Sequence, residues 1–433
     1  MNVAYMSENF IITRVDAREV LDSRGNPTIE AEVQSGSRMG KAAVPSGAST
    51  GTHEALELRD HDPNRYHGLG VQKAVRNVRE IIGPRIIGTD AREQKAIDQI
   101  MIDLDGTTNK SKLGANSILA VSLAVAKLAS ALVKKPLYSY LSKDEGTTLP
   151  VPVMNVINGG KHAGTDLKIQ EFMIIPAGCD TFSNSLRMGA EIYHSLKRLI
   201  LAKYGTRAIN VGDEGGFAPP MHVTSDVLEV ITQAISDSGY SPGKEVFLGL
   251  DAASSEFYKD GIYNIDGQSK TGEELTEFYT QLLRQYPIRY IEDPFEQEAF
   301  ENMANFTKRV GSKIQIVGDD IFVTNISRLK KGIEMGCANA LLLKVNQVGT
   351  LTEAMEAARM ARANQYGVVT SHRSGETEDS TIADLAVALN CGQIKAGAPC
   401  RGERTAKYNR LLRVEEQLAG KAIFPGAKAL KRQ

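Results

Sequence analysis

Several features that mark large classes of protein are scarce in this sequence. Its 433 residues carry 51 basic and 52 acidic side chains, a net charge of −1, so no broad electrostatic field draws the chain to nucleic acid or to an anionic membrane. Any anionic ligand must be met by charge arranged locally. The four cysteines, Cys179, Cys337, Cys391 and Cys400, show neither CxxC pairing nor regular spacing, which fits reduced packing residues better than a disulfide framework. No basic segment followed by an apolar run opens the sequence, so a cytoplasmic location is expected, with a secondary presence at the cell surface left open. The longest apolar stretch, residues 117–133, is interrupted by Lys127 and is too short and too alanine-rich to span a bilayer comfortably. It reads as a buried amphipathic helix. GxGxxG and Walker-type phosphate loops, short-period repeats and low-complexity tracts are absent as well.

What is present is enough chain for more than one core, since a single core stops growing at roughly 250–300 residues. Short β-type runs at residues 12–15 and 28–33 flank the turn residues Ser23, Arg24, Gly25, Asn26 and Pro27, and helical patterns follow over 71–82 and 116–132. Pro150 and Pro152 mark a boundary, which divides the chain into a smaller α+β domain, residues 1–150, and a larger one, residues 151–433. In the larger part, apolar runs at 246–250, 288–291, 314–317, 340–343, 368–369 and 393–394 alternate with helix-like segments, the pattern of parallel strands. Each run leads to a polar residue, in turn Asp251, Glu292, Asp319, Lys344, His372 and Lys395. The fold class expected is α/β, a (β/α)8-type barrel, whose strand C-termini form one rim where these six residues converge.

Three of the six are carboxylates, Asp251, Glu292 and Asp319, with no cysteine or paired histidine beside them; hard oxygen donors favour Mg²⁺ over zinc. The acids could instead pair with Lys344 and Lys395, but three acids against two lysines leave surplus negative charge that calls for a cation. Near a dication a buried lysine should lose basicity, so either lysine could take up a weakly acidic proton. Arg373 and Ser374 offer a guanidinium fork and a hydroxyl suited to phosphate. Glu214 stands in the glycine-rich segment 210–217, NVGDEGGF, where a carboxylate can approach a ligand closely and act as an acid. His162 lies in a second glycine-rich loop and by residue type alone is as readily a solvated histidine. Residues 46–51, SGASTG, read equally as a hinged lid or as an ordinary turn.

The strings DSRGNPT (22–28), SGASTG (46–51), VGDEGG (211–216), IEDP (291–294), LLLKVNQ (341–347) and SHRSGETED (371–379) occur in the order in which the enolase family carries them, and the chain closely resembles that family. The resemblance implies an α+β N-terminal domain and a barrel with an irregular ββαα start. It also implies reversible dehydration of 2-phosphoglycerate to phosphoenolpyruvate in glycolysis, with a lysine base and a Mg²⁺-stabilised ene-diolate. Carried over residue by residue, it makes Asp251, Glu292 and Asp319 ligands of a first Mg²⁺ and Ser49 a ligand of a second that arrives with substrate. Lys344 matches the base, Glu214 the acid that assists loss of the 3-hydroxyl, and Lys395 the lysine that holds the substrate carboxylate. Arg373 and Ser374 match the phosphate contacts, and His162, Glu171 and His372 match residues lining the pocket. A homodimer is implied, with octamers in some members, and Glu30 and Arg413 match residues that meet at the dimer contact.

Two rival readings are a related lyase acting on another carboxylate and a non-catalytic scaffold or surface-binding protein. Arg373 and Ser374 speak against the first, and the intact set Lys344, Glu214, Asp251, Glu292 and Asp319 against the second.

Overall fold

A computed structural model describes residues 10–48, 51–160 and 167–430. The chain begins with an antiparallel meander of β1 (Arg14–Leu21), β2 (Pro27–Ser35) and β3 (Arg38–Ala43). The β1–β2 turn is closed by Asp22, whose Oδ1 accepts the N–H groups of Arg24 (2.8 Å) and Asn26 (2.9 Å), the use to which short acidic side chains are put in turns. One face of this sheet packs on the helix Ala115–Leu132. Gly40 on β3 makes the close approach feasible, because a Cβ there would lie 2.0 Å from Ala124 O. The helix is long and apolar enough to cross a membrane, yet it is buried on almost every side rather than amphipathic. The sheet covers one side of it, and the helices Val345–Val348 and Leu351–Ala363 of the barrel region approach from elsewhere.

The barrel is built from β4 (Val151–Asn158), β5 (Glu171–Pro176) and β6 (Val246–Asp251), then β10 (Ile288–Glu292), β11 (Gln315–Gly318), β12 (Ala340–Leu343), β13 (Gly367–Ser371) and β14 (Gly392–Lys395). A small separate meander, β7 (Tyr258–Lys259), β8 (Ile262–Ile265) and β9 (Gln268–Lys270), stands between β6 and β10 in sequence. The eight barrel strands close in chain order, with β14 returning to β4. Seven strands run parallel and β5 runs against both its neighbours. The helices Phe182–Tyr204 and Thr224–Asp237 carry the chain from β5 to β6. This is the irregular ββαα start that the family resemblance implies and that strand spacing does not show. Val151, Val153, Met173, Ile175, Phe247, Tyr290, Val317, Leu342 and Val369 fill the barrel interior.

That topology sets the functional rim. Asp251, Glu292 and Lys395 end β6, β10 and β14, and Asp319, Lys344 and His372 directly follow β11, β12 and β13. Because β5 is reversed, its first residue, Glu171, reaches the same rim, in register with Asp251. The N-terminal domain is pinned beside it: the backbones of Ser46 and Gly375 exchange hydrogen bonds of 2.8 and 2.9 Å, and Ser23 N–H donates to Glu376 O at 2.7 Å. Lys127 pairs with Asp379 at 2.6 Å and Lys110 with Glu353 at 2.9 Å.

Candidate active site

The centre of the rim is an ammonium shared by three acids. Lys395 Nζ lies 2.8 Å from Asp251 Oδ2, 2.8 Å from Glu292 Oε1 and 3.2 Å from Glu171 Oε1, all buried. Burial alone would lower the pKa of this lysine, but Asp251, Glu171 and Glu292 push it well up. Glu292 receives the Tyr290 hydroxyl at 2.6 Å from inside the barrel, and burial followed by the Asp251 charge raises its pKa to about 8. Lys344 donates to Asp319 Oδ2, and Gln347 Nε2 donates to Asp319 Oδ1 at 2.8 Å. Against the raising effect of burial, Lys344 holds the Asp319 carboxyl low. Desolvation pulls Lys344 down, but the surrounding acids, Asp319 first and then Glu292, leave it raised overall. The lowered lysine basicity expected from the sequence depends on a neighbouring dication; with a carboxylate as its partner the amine is held charged.

Asp251, Glu292 and Asp319 thus occupy neighbouring strands, but lysines stand against them. The sets of three potential metal-ligand atoms lying within 4.8 Å of one another among the described residues are two others, Asp293 with Asp319 and Asp320, and Glu171 with Glu214 and His372. Asp293 accepts the N–H groups of Asp319 (2.9 Å) and Asp320 (2.7 Å) and so fixes the backbone that carries Asp319. The donor set fits a hard divalent cation: five buried carboxylates, Glu171, Glu214, Asp251, Glu292 and Asp319, face two lysines, and Glu171 Oε2 has no hydrogen-bond partner among the described residues.

A second cluster faces the first. Glu214 is buried, accepts Asn155 Nδ2 at 3.0 Å, and has His372 Nε2 3.7 Å from the same oxygen. Arg404 Nη1 lies 2.7 Å from His372 Nδ1, which makes Nδ1 the acceptor and leaves the proton on Nε2. Burial, reinforced by Arg404, drives the His372 pKa well down despite Glu214, so the ring is neutral. Arg404, fully buried, also donates to the carbonyls of Arg373 (2.6 Å), Ser374 (2.5 Å) and Asp213 (2.9 Å), tying two loops together from the helix Gly402–Leu418. Burial first, then Glu214, raises the Glu171 carboxyl well above its ordinary value.

Glu171, Glu214, Asp251, Lys344, His372, Arg373, Ser374 and Lys395 line one small cavity. Glu292 and Asp319 adjoin it through their lysines. Ser49 and His162 lie outside the described residues. Arg373 is engaged by Glu54, and Ser374 Oγ accepts Ala48 N–H at 2.7 Å, so both predicted phosphate contacts meet the N-terminal domain. A larger cavity of about 540 Å³ opens at the other mouth of the barrel, lined by Gln315, Asn339, Arg362, Cys391 and Lys428 among others, and it gathers no comparable set of titratable groups. Reading the sequence missed Tyr290, Gln347, Asn155, Asp293 and Arg404. Asn155 carried a signal, a polar residue inside the apolar run of β4, whereas Tyr290 shares its short strand with Arg289 and Glu292 and does not stand out.

A barrel whose C-terminal mouth gathers acids, lysines and a neutral histidine around one small cavity has the make-up of an acid–base enzyme. Residues 12–141 match the family model described as the enolase N-terminal domain, and residues 146–433 match that of the enolase C-terminal TIM barrel domain. The enolase of Methanocaldococcus jannaschii is 62% identical over 414 residues, 95% of this chain and 97% of that protein. Those of Thermococcus kodakarensis (59%, covering 98% and 99%) and Pyrococcus furiosus (58%, covering 98% and 99%) are similar throughout. The chain belongs to the enolase family and is a hydro-lyase. Membership implies a small-molecule substrate and a divalent metal, and the acidic groups described above are able to bind one.

Proposed function

We propose that this chain performs its family's reaction, the reversible dehydration of 2-phosphoglycerate to phosphoenolpyruvate, with Lys344 removing the C2 proton and Glu214 donating a proton to the departing C3 hydroxyl. One observation carries the reading: the two groups reach a single cavity from different elements, Lys344 from the end of β12 and Glu214 from the glycine-rich loop before residue 217. A base and an acid approaching from separate directions suit a stepwise elimination in which the C2–H bond breaks first and the hydroxyl leaves as water. Lys344 must first lose its own proton. Once Asp319 is engaged elsewhere, the partner that holds the amine charged is removed, and desolvation favours the neutral base. His372, neutral and held by Arg404, turns its Nε2–H toward Glu214, and Asn155 steadies the same carboxyl group.

Lys395 is assigned to the substrate carboxylate, Arg373 and Ser374 to the phosphate, and Glu171, His372 and His162 to the pocket wall. The cofactor assigned is Mg²⁺, two ions per site: the first on Asp251, Glu292 and Asp319, the second on Ser49 with substrate. When bound, it would supply the positive charge that offsets the second negative charge developing on the substrate carboxylate as C2 is deprotonated. The oligomer assigned is a homodimer, supported by Glu30 and Arg413, which match the family's dimer contact; whether dimers assemble further into octamers is not chosen by these residues. A cytoplasmic setting is supported by the four free cysteines, which suit a reducing compartment.

Metal-stripped protein should form no phosphoenolpyruvate from 2-phosphoglycerate until Mg²⁺ is restored, and Asp319→Asn should weaken Mg²⁺ binding in calorimetry. Unchanged affinity together with unchanged turnover in Asp319→Asn refutes the ligand assignment.

A further inference from the structure

The guanidinium assigned to the substrate phosphate is already gripped by a carboxylate that takes no part in the steps above. Glu54 Oε2 accepts Arg373 Nη1 at 2.8 Å and Oε1 accepts Nη2 at 3.2 Å, with side-chain exposures of only 8% and 3%. The same Oε1 accepts Gly51 N–H at 3.0 Å, and Glu54 N–H donates to Gly51 O at 3.1 Å, so the carboxylate is itself held by a turn of its own segment. Arg373 Nη1 also donates to Asn346 Oδ1 at 3.0 Å, two residues beyond Lys344. A fork-to-fork pair of this kind fixes the plane and direction of a guanidinium, a side chain that otherwise has a great deal of rotamer freedom to lose on binding. The buried arginine also needs a countercharge when no anion is bound, and Glu54 supplies it from the other domain.

We propose that Glu54 is a positioning residue for substrate phosphate: by holding one edge of Arg373 it presents the guanidinium in the orientation the phosphate requires. This rests on the reading that Arg373 meets the phosphate. Glu54 is not among the residues lining the cavity of Lys344 and Glu214, so its effect belongs to binding. In Glu54→Gln the amide keeps the shape but places an N–H₂ against a guanidinium N–H, breaking one half of the fork. KM for 2-phosphoglycerate and the inhibition constant of inorganic phosphate should both rise about tenfold, the loss of one charge-assisted hydrogen bond, with kcat changed by less than about threefold. Glu54→Asp, which keeps the charge on a shorter arm, should show a smaller rise in both constants. It also serves as the test if Glu54→Gln does not fold, and wild-type constants in it then overturn the proposal.

Arg373→Gln separates the proposal from its premise. If that variant leaves KM and the phosphate inhibition constant unchanged, the phosphate reading of Arg373 fails. If it raises both while Glu54→Gln leaves them unchanged, Glu54 has no positioning role. A fall in both constants in Glu54→Gln would mean that the carboxylate competes with phosphate, which also overturns the proposal.

Discussion

Lys395 shows what single residues contribute here. Its ammonium is the shared partner of Asp251, Glu292 and Glu171, in a site where Glu292 is already raised to about 8 by burial and by Asp251. Lys395→Met leaves those acids buried beside one another, and removing one partner of a buried ion cluster costs on the order of 3–5 kcal/mol. Urea unfolding of the metal-free variant should show a loss of that order; wild-type stability would contradict the account of the cluster. The six strand-end residues were legible in the sequence because each interrupts the end of an apolar run. Arg404 and Glu54 were not, since an arginine in a charged helix and a glutamate in a polar loop look ordinary until the fold carries them to His372 and Arg373.

Among the elements, the segment after β13 does the most to join the two domains. It bonds to the β1–β2 turn through Ser23 and Glu376 and to the segment after β3 through Ser46 and Gly375. A Cβ at Gly375 would stand 2.5 Å from both Arg24 Nη2 and Asp22 Oδ2, so a side chain there has to displace the side chains that shape the β1–β2 turn. Gly375→Ala should therefore push the turn away, shift Ser374 and Arg373 with it, and destabilise the protein by about 1–3 kcal/mol, as overpacking does. Denaturant unfolding and KM for 2-phosphoglycerate measure the two effects, and wild-type values for both would contradict this account of the joint. Strand identity was readable from apolar runs, but the reversal of β5 was not. Every residue of β4, β5 and β6 is buried, so no alternation reports direction. The long interval between Asp251 and Glu292 likewise has a cause that spacing conceals: the β7–β9 meander sits inside it.

In the whole molecule, a net charge of −1 coexists with a strongly charged interior site, so selectivity for an anion is local. Both domains build that site: Ala48 and Glu54 from the first meet Ser374 and Arg373 from the second. The family's chemistry was legible because its motifs are contiguous strings, and pairing of the acids with Lys344 and Lys395 was legible as an alternative; which acid holds which lysine is tertiary, Asp319 taking Lys344 while Asp251, Glu292 and Glu171 take Lys395. The central claim is that one cavity separates proton removal from hydroxyl loss. It is tested most directly by following exchange of the C2 hydrogen of 2-phosphoglycerate with deuterated solvent alongside phosphoenolpyruvate formation. Lys344→Ala should abolish exchange, whereas Glu214→Gln should retain measurable exchange while losing most phosphoenolpyruvate formation. Exchange at the wild-type rate in Lys344→Ala, or its disappearance in Glu214→Gln alone, would contradict the assignment of base and acid.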